Sequence, residues 1–341
     1  MQELENILAE KLQNFEIFPR RFGIKPAKIH LYGPPRSGKT SLSLLIAKHS
    51  KHPIYIDCID PRNDKEMLTS QVLKAFLEKR IDWLILDNYD FSLTLPNLPN
   101  ILLITTPPIA RLPQGFLSRV ILPLNFAEYI SISPKSTSLT QLFNSYLKNG
   151  NTPEMLFLPE FQKIQRRQEH LRLFFQEDYV FFLQLLSFQS QKITTHHLYT
   201  HMKKSIKISK DKAYRLLNTL EACHFLTLLP HINAPSLPKK LFFYDFALPY
   251  AFSKAPNFQA IFENMVFLEL LNQTNAPIFY AQECHFLIEN HAFFALPFPN
   301  QKDINKILQN NPKRQITIIA IHPQEHPHCK IIDFISFALR D

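Results

Sequence analysis

Residues Gly33 to Thr40 read GPPRSGKT, which fits the phosphate-loop pattern G-x-x-x-x-G-K-[ST]. The chain holds only five glycines in 341 residues, so two at this spacing carry unusual weight. The run KIHLY, Lys28 to Tyr32, precedes the loop and is β-like. The run SLSLLIAKH, Ser41 to His49, follows it with apolar residues at helical spacing. Strand, glycine loop, helix is the context the motif requires. Backbone N–H groups of such a loop and of the helix N-terminus point at phosphates. Lys39 would neutralise charge on the β- and γ-phosphates, and the Thr40 hydroxyl would ligate Mg²⁺. Gly33, Pro34, Pro35, Arg36, Ser37, Gly38, Lys39, Thr40 and Ser41 are therefore the expected nucleotide cradle.

A second acid lies downstream. IDWLILDNYD, Ile81 to Asp90, is apolar until Asp87, as expected of a strand buried on both faces of a parallel sheet. An aspartate at its carboxyl end sits where nucleotides bind and is the second expected Mg²⁺ ligand, through water. Asn88 follows, where many phosphate-loop ATPases carry Glu. Asn can hydrogen-bond water but cannot take its proton. Either hydrolysis is slow or another acid serves, with Asp57 and Asp90 as candidates. PIYIDCID (Pro53 to Asp60), NILLITTPP (Asn100 to Pro108) and RVILPL (Arg119 to Leu124) read as further strands. The Thr105 hydroxyl, at a strand tip, is a candidate γ-phosphate sensor. Five short apolar strands with helical stretches between them predict a parallel α/β sheet over residues 1–130.

The length predicts two or three domains with ample core. No apolar run is long enough to span a bilayer, and MQELENILAEKLQNF reads as an amphipathic helix, not a secretion signal. Cys58, Cys223, Cys284 and Cys329 lie far apart, which excludes a disulfide scaffold or a cysteine zinc ribbon and fits a reducing cytoplasm.

Residues 131–235 read as a helical module. EDYVFFLQLLSFQSQ, ITTHHLYTHMKKS and SKDKAYRLLNTLEACHF are three helices, the last capped by Ser209, and FLTLLP is a strand; the order is that of a winged helix-turn-helix. Gln191 to Arg215 carries seven Lys or Arg against one Asp, much of the formal charge of +9. Lys203, Lys204, Lys207, Lys210, Lys212 and Arg215 are candidate contacts to double-stranded DNA. Docking to a protein partner and an ordinary solvated lysine face are the alternatives. His197 and His201 share a helix face without an obvious third ligand. HPQEHPHC, His322 to Cys329, has the look of a metal tract but reads better as a turn between strands. After Leu270 the chain reads as short strands, PIFYA, CHFLIE, HAFFALPF, RQITIIAIH and CKIIDFISFAL, giving an α+β domain over 236–341.

Several segments together resemble the prokaryotic AAA-type ATPases with a C-terminal domain of unknown function. They are the glycine loop, LILDN, LITTPP, SRVILPLNFAEYI, SYLKNGNTPEM, KKLFFYDFAL and FENMVFLEL. Ala247 replaces a glycine of the family's pattern. The resemblance covers most of the chain and implies an α/β phosphate-loop NTPase sheet, a winged-helix-like module and a degenerate restriction-nuclease-like region. It implies ATP as the nucleotide, with Mg²⁺, and Arg119 as the γ-phosphate arginine, in cis or from a neighbouring subunit of an oligomer; Arg111 is the weaker alternative. A nuclease site in this family needs Glu-x-Asp and a nearby lysine. Here the first segment is Glu283-Cys284-His285, and HAFFALPF has no lysine, so DNA cleavage is not expected. The expected activity is hydrolysis of ATP to ADP and phosphate, driving movement of the C-terminal modules. The alternative is a nucleotide-gated, DNA-associated regulator with little turnover.

Overall fold

The structure is a computed structural model that describes residues 2–21, 23–234 and 236–340. The chain divides into two compact units, Met1–Pro123 and Leu124–Asp341.

The first unit contains α1 (Gln2–Asn14), β1 (Lys28–Tyr32), α2 (Lys39–His49), β2 (Pro53–Asp57), α3 (Lys65–Leu77), β3 (Trp83–Asp87), β4 (Ile101–Ile104) and β5 (Phe116–Val120). The strands form one parallel sheet in the order β2-β3-β4-β1-β5. Apolar residues alternate between its faces. Ile54, Ile56, Leu84, Leu86, Ile101 and Leu103 pack with Leu68 and Val72 of α3 on one side. Ile29, Leu31, Tyr55, Ile85 and Leu102 pack with Leu42 and Leu44 of α2 on the other. Burial on both faces is why these strands read as near-continuous apolar runs. The fifth strand departs from the expectation at Arg119 to Leu124. It begins earlier, at Phe116, and its central residues are exposed. As an edge strand it has one neighbour and a wet face, so its sequence FLSRV is mixed, while the apolar run VILPL lies mostly past its end.

The second unit opens with α4 (Phe126–Ile132), α5 (Leu139–Asn149), α6 (Glu154–Phe157) and α7 (Glu160–Phe175). Capping boxes, Asn125 with Glu128 and Ser138 with Gln141, start α4 and α5. Then come α8 (Tyr179–Leu186), β6 (Lys192–Ile193), α9 (Thr195–Met202), α10 (Lys210–Ala222), β7 (Leu226–Leu229) and β8 (Lys239–Phe243). Ser209 caps α10 as expected, its hydroxyl accepting from the Lys212 N–H. The three strands form an antiparallel sheet in the order β6-β8-β7. Its third strand lies beyond residue 235, and Leu241 and Phe243 on it join the core formed by Phe182, Leu198, Leu217 and Phe225.

The remainder holds α11 (Leu248–Phe252), α12 (Phe258–Gln273), β9 (Phe286–Ile288), β10 (His291–Ala295), α13 (Gln301–Asn310), β11 (Gln315–Ala320), β12 (Lys330–Asp333) and α14 (Phe334–Ala338). Its mixed sheet runs β12-β11-β10-β9. Two of the expected strands, PIFYA and CKIIDFISFAL, are corrected by the structure. PIFYA makes only isolated bridges, at Phe279 and Tyr280. QKDINKILQN, between the HAFFALPF and RQITIIAIH strands, is a helix capped by Asn300, as an α+β domain allows. CKIIDFISFAL breaks at Asp333, whose carboxylate accepts from the Ser336 N–H and turns the strand into α14. Among the described residues, no helix is long and apolar enough to cross a membrane.

Candidate functional site

The loop Gly33 to Gly38 joins β1 to α2 at the carboxyl edge of the first sheet, the edge where α/β proteins of this topology bind ligands. Gly33 has φ +139°, and a Cβ there would lie 2.5 Å from the Ile121 carbonyl oxygen, so no side chain fits. Gly38 caps α2 with φ +94°, which turns the chain into the helix. The Arg20 guanidinium, in the segment before β1, donates to the carbonyls of Ser37 and Leu122, each at 3.0 Å. It thereby ties the loop to the chain after β5. Nothing in its local sequence marks Arg20 for that role.

Lys39 is buried, and its Nζ donates to the Gly33 and Pro34 carbonyls at 2.9 and 2.7 Å. The ammonium therefore stands across the loop. Thr40 Oγ1 donates to Asp87 Oδ2 at 2.7 Å, so the two expected Mg²⁺ ligands, 47 residues apart, meet. Hydroxyl and carboxylate oxygens are the hard donors Mg²⁺ prefers. Tyr55 also donates to Asp87 Oδ2, at 2.9 Å. Burial, above all, holds the Asp87 carboxyl above the usual carboxylate range, and the neighbouring Asp57 adds to it, against the hydrogen bonds from Thr40 and Tyr55. The Ser41 hydroxyl is engaged by the Glu16 carbonyl at 2.9 Å, which leaves its backbone rather than its side chain to the cradle.

Asn88 adopts φ +52°, a conformation that asparagine tolerates better than most residues. Its Nδ2 donates to Asp57 Oδ1 at 2.9 Å, and Lys11 Nζ donates to Asp57 Oδ2 at 3.0 Å. Asp57 and Asp87 pair in register on neighbouring strands. Of the two alternative acids, Asp57 is thus wired to Asn88, whereas Asp90 is taken up by Lys65 at 2.6 Å. Partial desolvation raises the Asp90 carboxyl, but hydrogen bonds from Lys65 and Ser92 outweigh it and pull the group down to about 2.

Thr105 is buried at the end of β4. Its Oγ1 donates to the Pro107 carbonyl and lies 2.8 Å from His30 Nε2, while His30 Nδ1 lies 2.8 Å from Ser118 Oγ. Because the threonine hydrogen is used on Pro107, Nε2 must donate and Nδ1 must accept. Burial pushes the His30 ring down to about 4, which keeps it neutral. His30 therefore links the candidate sensor to β5. It was not distinguishable in the sequence from any core residue of β1.

Arg119 lies within β5, beside Leu31 of β1, on an exposed stretch of the strand. Arg111 lines a cavity of about 630 Å³ at the same sheet edge, together with Asn88, Thr105 and Thr106. The structure thus brings Arg111, and not Arg119, to the rim shared by Asn88 and Thr105.

In the second unit, Lys203, Lys204 and Lys207 are exposed between α9 and α10, and Lys210 and Arg215 are exposed on α10. Lys212 differs, being paired to Asp178 at 2.6 Å and Glu177 at 3.5 Å. His197 and His201 pack edge-on against Phe188. Among the described residues, no group of three His, Cys, Asp or Glu is placed to hold a metal, the His322 to Cys329 tract included.

The strand order and the loop between β1 and α2 define an α/β domain of the phosphate-loop NTPase class. No family model and no curated protein matches the chain. Two solved structures are similar in part. The Walker-type ATPase PABY2304 of Pyrococcus abyssi has a TM-score of 0.44 and 14% identity, over 74% of this chain and 95% of that one. The STAND (signal transduction ATPase with numerous domains) protein PH0952 of Pyrococcus horikoshii, which has a tetratricopeptide repeat sensor, has a TM-score of 0.31 and 13% identity. That match covers 80% of this chain and 45% of that one, so this chain spans less than half of its length. At those scores the fold assignment stands on this chain's own geometry.

Proposed function

We propose that the chain binds Mg·ATP at the Gly33–Thr40 loop and hydrolyses it slowly to ADP and phosphate. The observation that carries this reading is the 2.7 Å contact from Thr40 to Asp87 at the base of the loop. In this reading the loop's backbone N–H groups and Lys39 hold the phosphates, and Thr40 and Asp87 hold the cation. Held there by Thr40 and Asp87, Mg²⁺ would offset the negative charge that develops in phosphoryl transfer. Asn88 orients the attacking water, and Asp57 behind it supplies the carboxylate that Asn88 lacks. Thr105 turns its hydroxyl hydrogen from the Pro107 carbonyl to the γ-phosphate, and the change reaches β5 through His30. Either Arg111 or Arg119 meets the γ-phosphate charge, and the cavity favours Arg111 within one chain. A trans-acting Arg119 would require an oligomer.

The second unit then answers to nucleotide state. Its helices α8 to α10 with β6 to β8 follow the helix, strand, helix, helix, strand, strand order of a winged helix, which supports the reading of a winged-helix-like module. Its exposed cations suit duplex DNA. A switch with little turnover is the second reading, favoured by the amide at Asn88. Single-turnover assays with labelled ATP and Mg²⁺, with and without duplex DNA and with Lys39→Ala as control, separate the two. Turnover lost in the variant supports an ATPase; Lys39-dependent binding without turnover supports the switch; no nucleotide binding refutes both.

A further inference from the structure

Lys192 on β6 stands in register opposite Lys240 on β8. Like charges directly across an antiparallel pair oppose folding, so the arrangement calls for a counter-charge. Lys240 has one: it is buried, and its Nζ meets Glu263 Oε1 of α12 at 2.5 Å. Among the described residues no ion pair at contact distance is formed by Lys192, on which Glu263 and Glu283 act from farther off; it lies over the Tyr280 ring at 5.1 Å. Both lysines line a cavity of about 370 Å³ within the second unit, together with Asp303, Lys306 and Asn310 of α13.

His285 completes the lining. Its Nδ1 accepts the Ala295 N–H at 3.2 Å, so that nitrogen cannot donate to Glu263 Oε2, which lies 3.9 Å away. Burial lowers the ring to about 4. The ring is neutral, and its hydrogen sits on Nε2, which is a donor. The carboxylates around the cavity are already engaged: Glu263 by Lys240, Glu283 by Arg314 at 3.5 Å, and Asp303 by Asn300 Nδ2 at 2.7 Å. That leaves donors in excess and no open set of oxygen ligands. His285 stands where a nuclease of the resembling family would have an acid, and there it adds a donor instead of a metal ligand.

We propose that this cavity binds the phosphate of a monoester or free phosphate, held by Lys192, Lys306 and His285 Nε2 with Lys240 behind them. The site is independent of the nucleotide loop. The test uses the full chain carrying Lys39→Ala, which silences the loop. Equilibrium dialysis with labelled inorganic phosphate should find one saturable site per chain. Lys192→Gln should weaken it about tenfold, and Lys192→Arg should restore most of it, consistent with one lost charge-assisted hydrogen bond. Lys192 is exposed and its loss relieves the repulsion from Lys240, so the variant should melt no lower than the parent. His285→Phe should weaken binding similarly. A 5′-phosphorylated duplex compared with its 5′-hydroxyl twin separates the sources. A preference for the phosphorylated end that disappears in Lys192→Gln assigns the site to nucleic-acid ends. Lys192-dependent phosphate binding without that preference assigns it to the free ion. Absence of a saturable site, or equal binding in Lys192→Gln, overturns the proposal.

Discussion

Asn88 donates its side-chain amide to the carboxylate of Asp57 at 2.9 Å, while Asp57 sits in register beside Asp87. The pair places an acid within hydrogen-bond reach of the Asn88 amide. If Asp57 supplies the missing base, Asp57→Asn lowers single-turnover hydrolysis about 100-fold, within the range for a lost general base. Nucleotide affinity stays within about threefold, because Asp57 lies outside the phosphate loop. Equal loss of affinity and rate would instead mean that Asp57 only supports Asp87.

The two arginines are separable. Arg111 shares its cavity with Asn88 and Thr105, so Arg111→Ala should cut turnover by about 1000-fold at any protein concentration if it meets the γ-phosphate. Arg119→Ala should then have little effect. The reverse pattern, with activity restored by mixing Arg119→Ala with Lys39→Ala chains, would assign the arginine to a neighbouring subunit.

The neutral His30 gives the first unit an acid sensitivity. Its folded value of about 4 lies below the ordinary 6.5, so the unfolded chain binds the proton more tightly. The group's contribution is whole above pH 6.5 and is lost as pH falls toward 4. Between pH 7.5 and 5.0 the loss amounts to about 2 kcal/mol. Trp83 is the chain's sole tryptophan and lies on β3, so its fluorescence in urea reports this unit. His30→Gln should flatten that part of the pH dependence. An unchanged slope would show that other groups produce it.

Glu269 accepts from the Phe126 N–H at 2.7 Å and from the Tyr146 hydroxyl at 3.2 Å, and it is 1% exposed. It joins the start of α4 to α12, which gives the NFAEY and ENMVFLEL segments a shared structural purpose. Glu269→Leu takes the buried acceptor from the Phe126 N–H and leaves the Tyr146 hydroxyl only the Leu124 carbonyl, at 3.3 Å, and should destabilise the second unit by about 2 kcal/mol. Glu269→Gln keeps an acceptor and should cost about half as much. Hydrogen exchange at residues 124–132 should quicken in the first variant far more than in the second; equal rates would remove Glu269 from the joint.

Much of the first unit was legible because its physics is local. GPPRSGKT encodes its own backbone geometry, and the strands at Lys28, Pro53, Trp83 and Ile101 are buried on both faces, so they announce themselves as apolar runs. The edge strand at Phe116 obeys no such rule, and the apolar run after it was the better-looking strand. In the second unit, QKDINKILQN carries Ile304, Ile307 and Leu308 at helical spacing, so its helix was legible in the sequence although only Ile304 is deeply buried. The site's supporting residues were hidden for a different reason. Arg20, His30 and Lys192 act across 17 residues or more of chain, and no window of sequence holds such a contact.

The basic face of α10 and the segment before it makes a sharper test than its net charge. Lys207 and Arg215 are exposed, whereas Lys212 is already paired to Asp178. If the face meets DNA phosphates, Lys207→Ala and Arg215→Ala each weaken duplex binding several-fold, uniformly across sequences, and each reduces the slope of log affinity against log salt by about 1. Lys212→Ala should change that slope far less, since its charge is partly offset within the protein. It should instead release Asp178 and add a negative charge to the edge of the face. If all three substitutions lower the slope equally, the ion pair opens on binding and the whole cluster contacts DNA. If none changes affinity, α10 does not meet nucleic acid, and its cations serve a protein partner or only solvent.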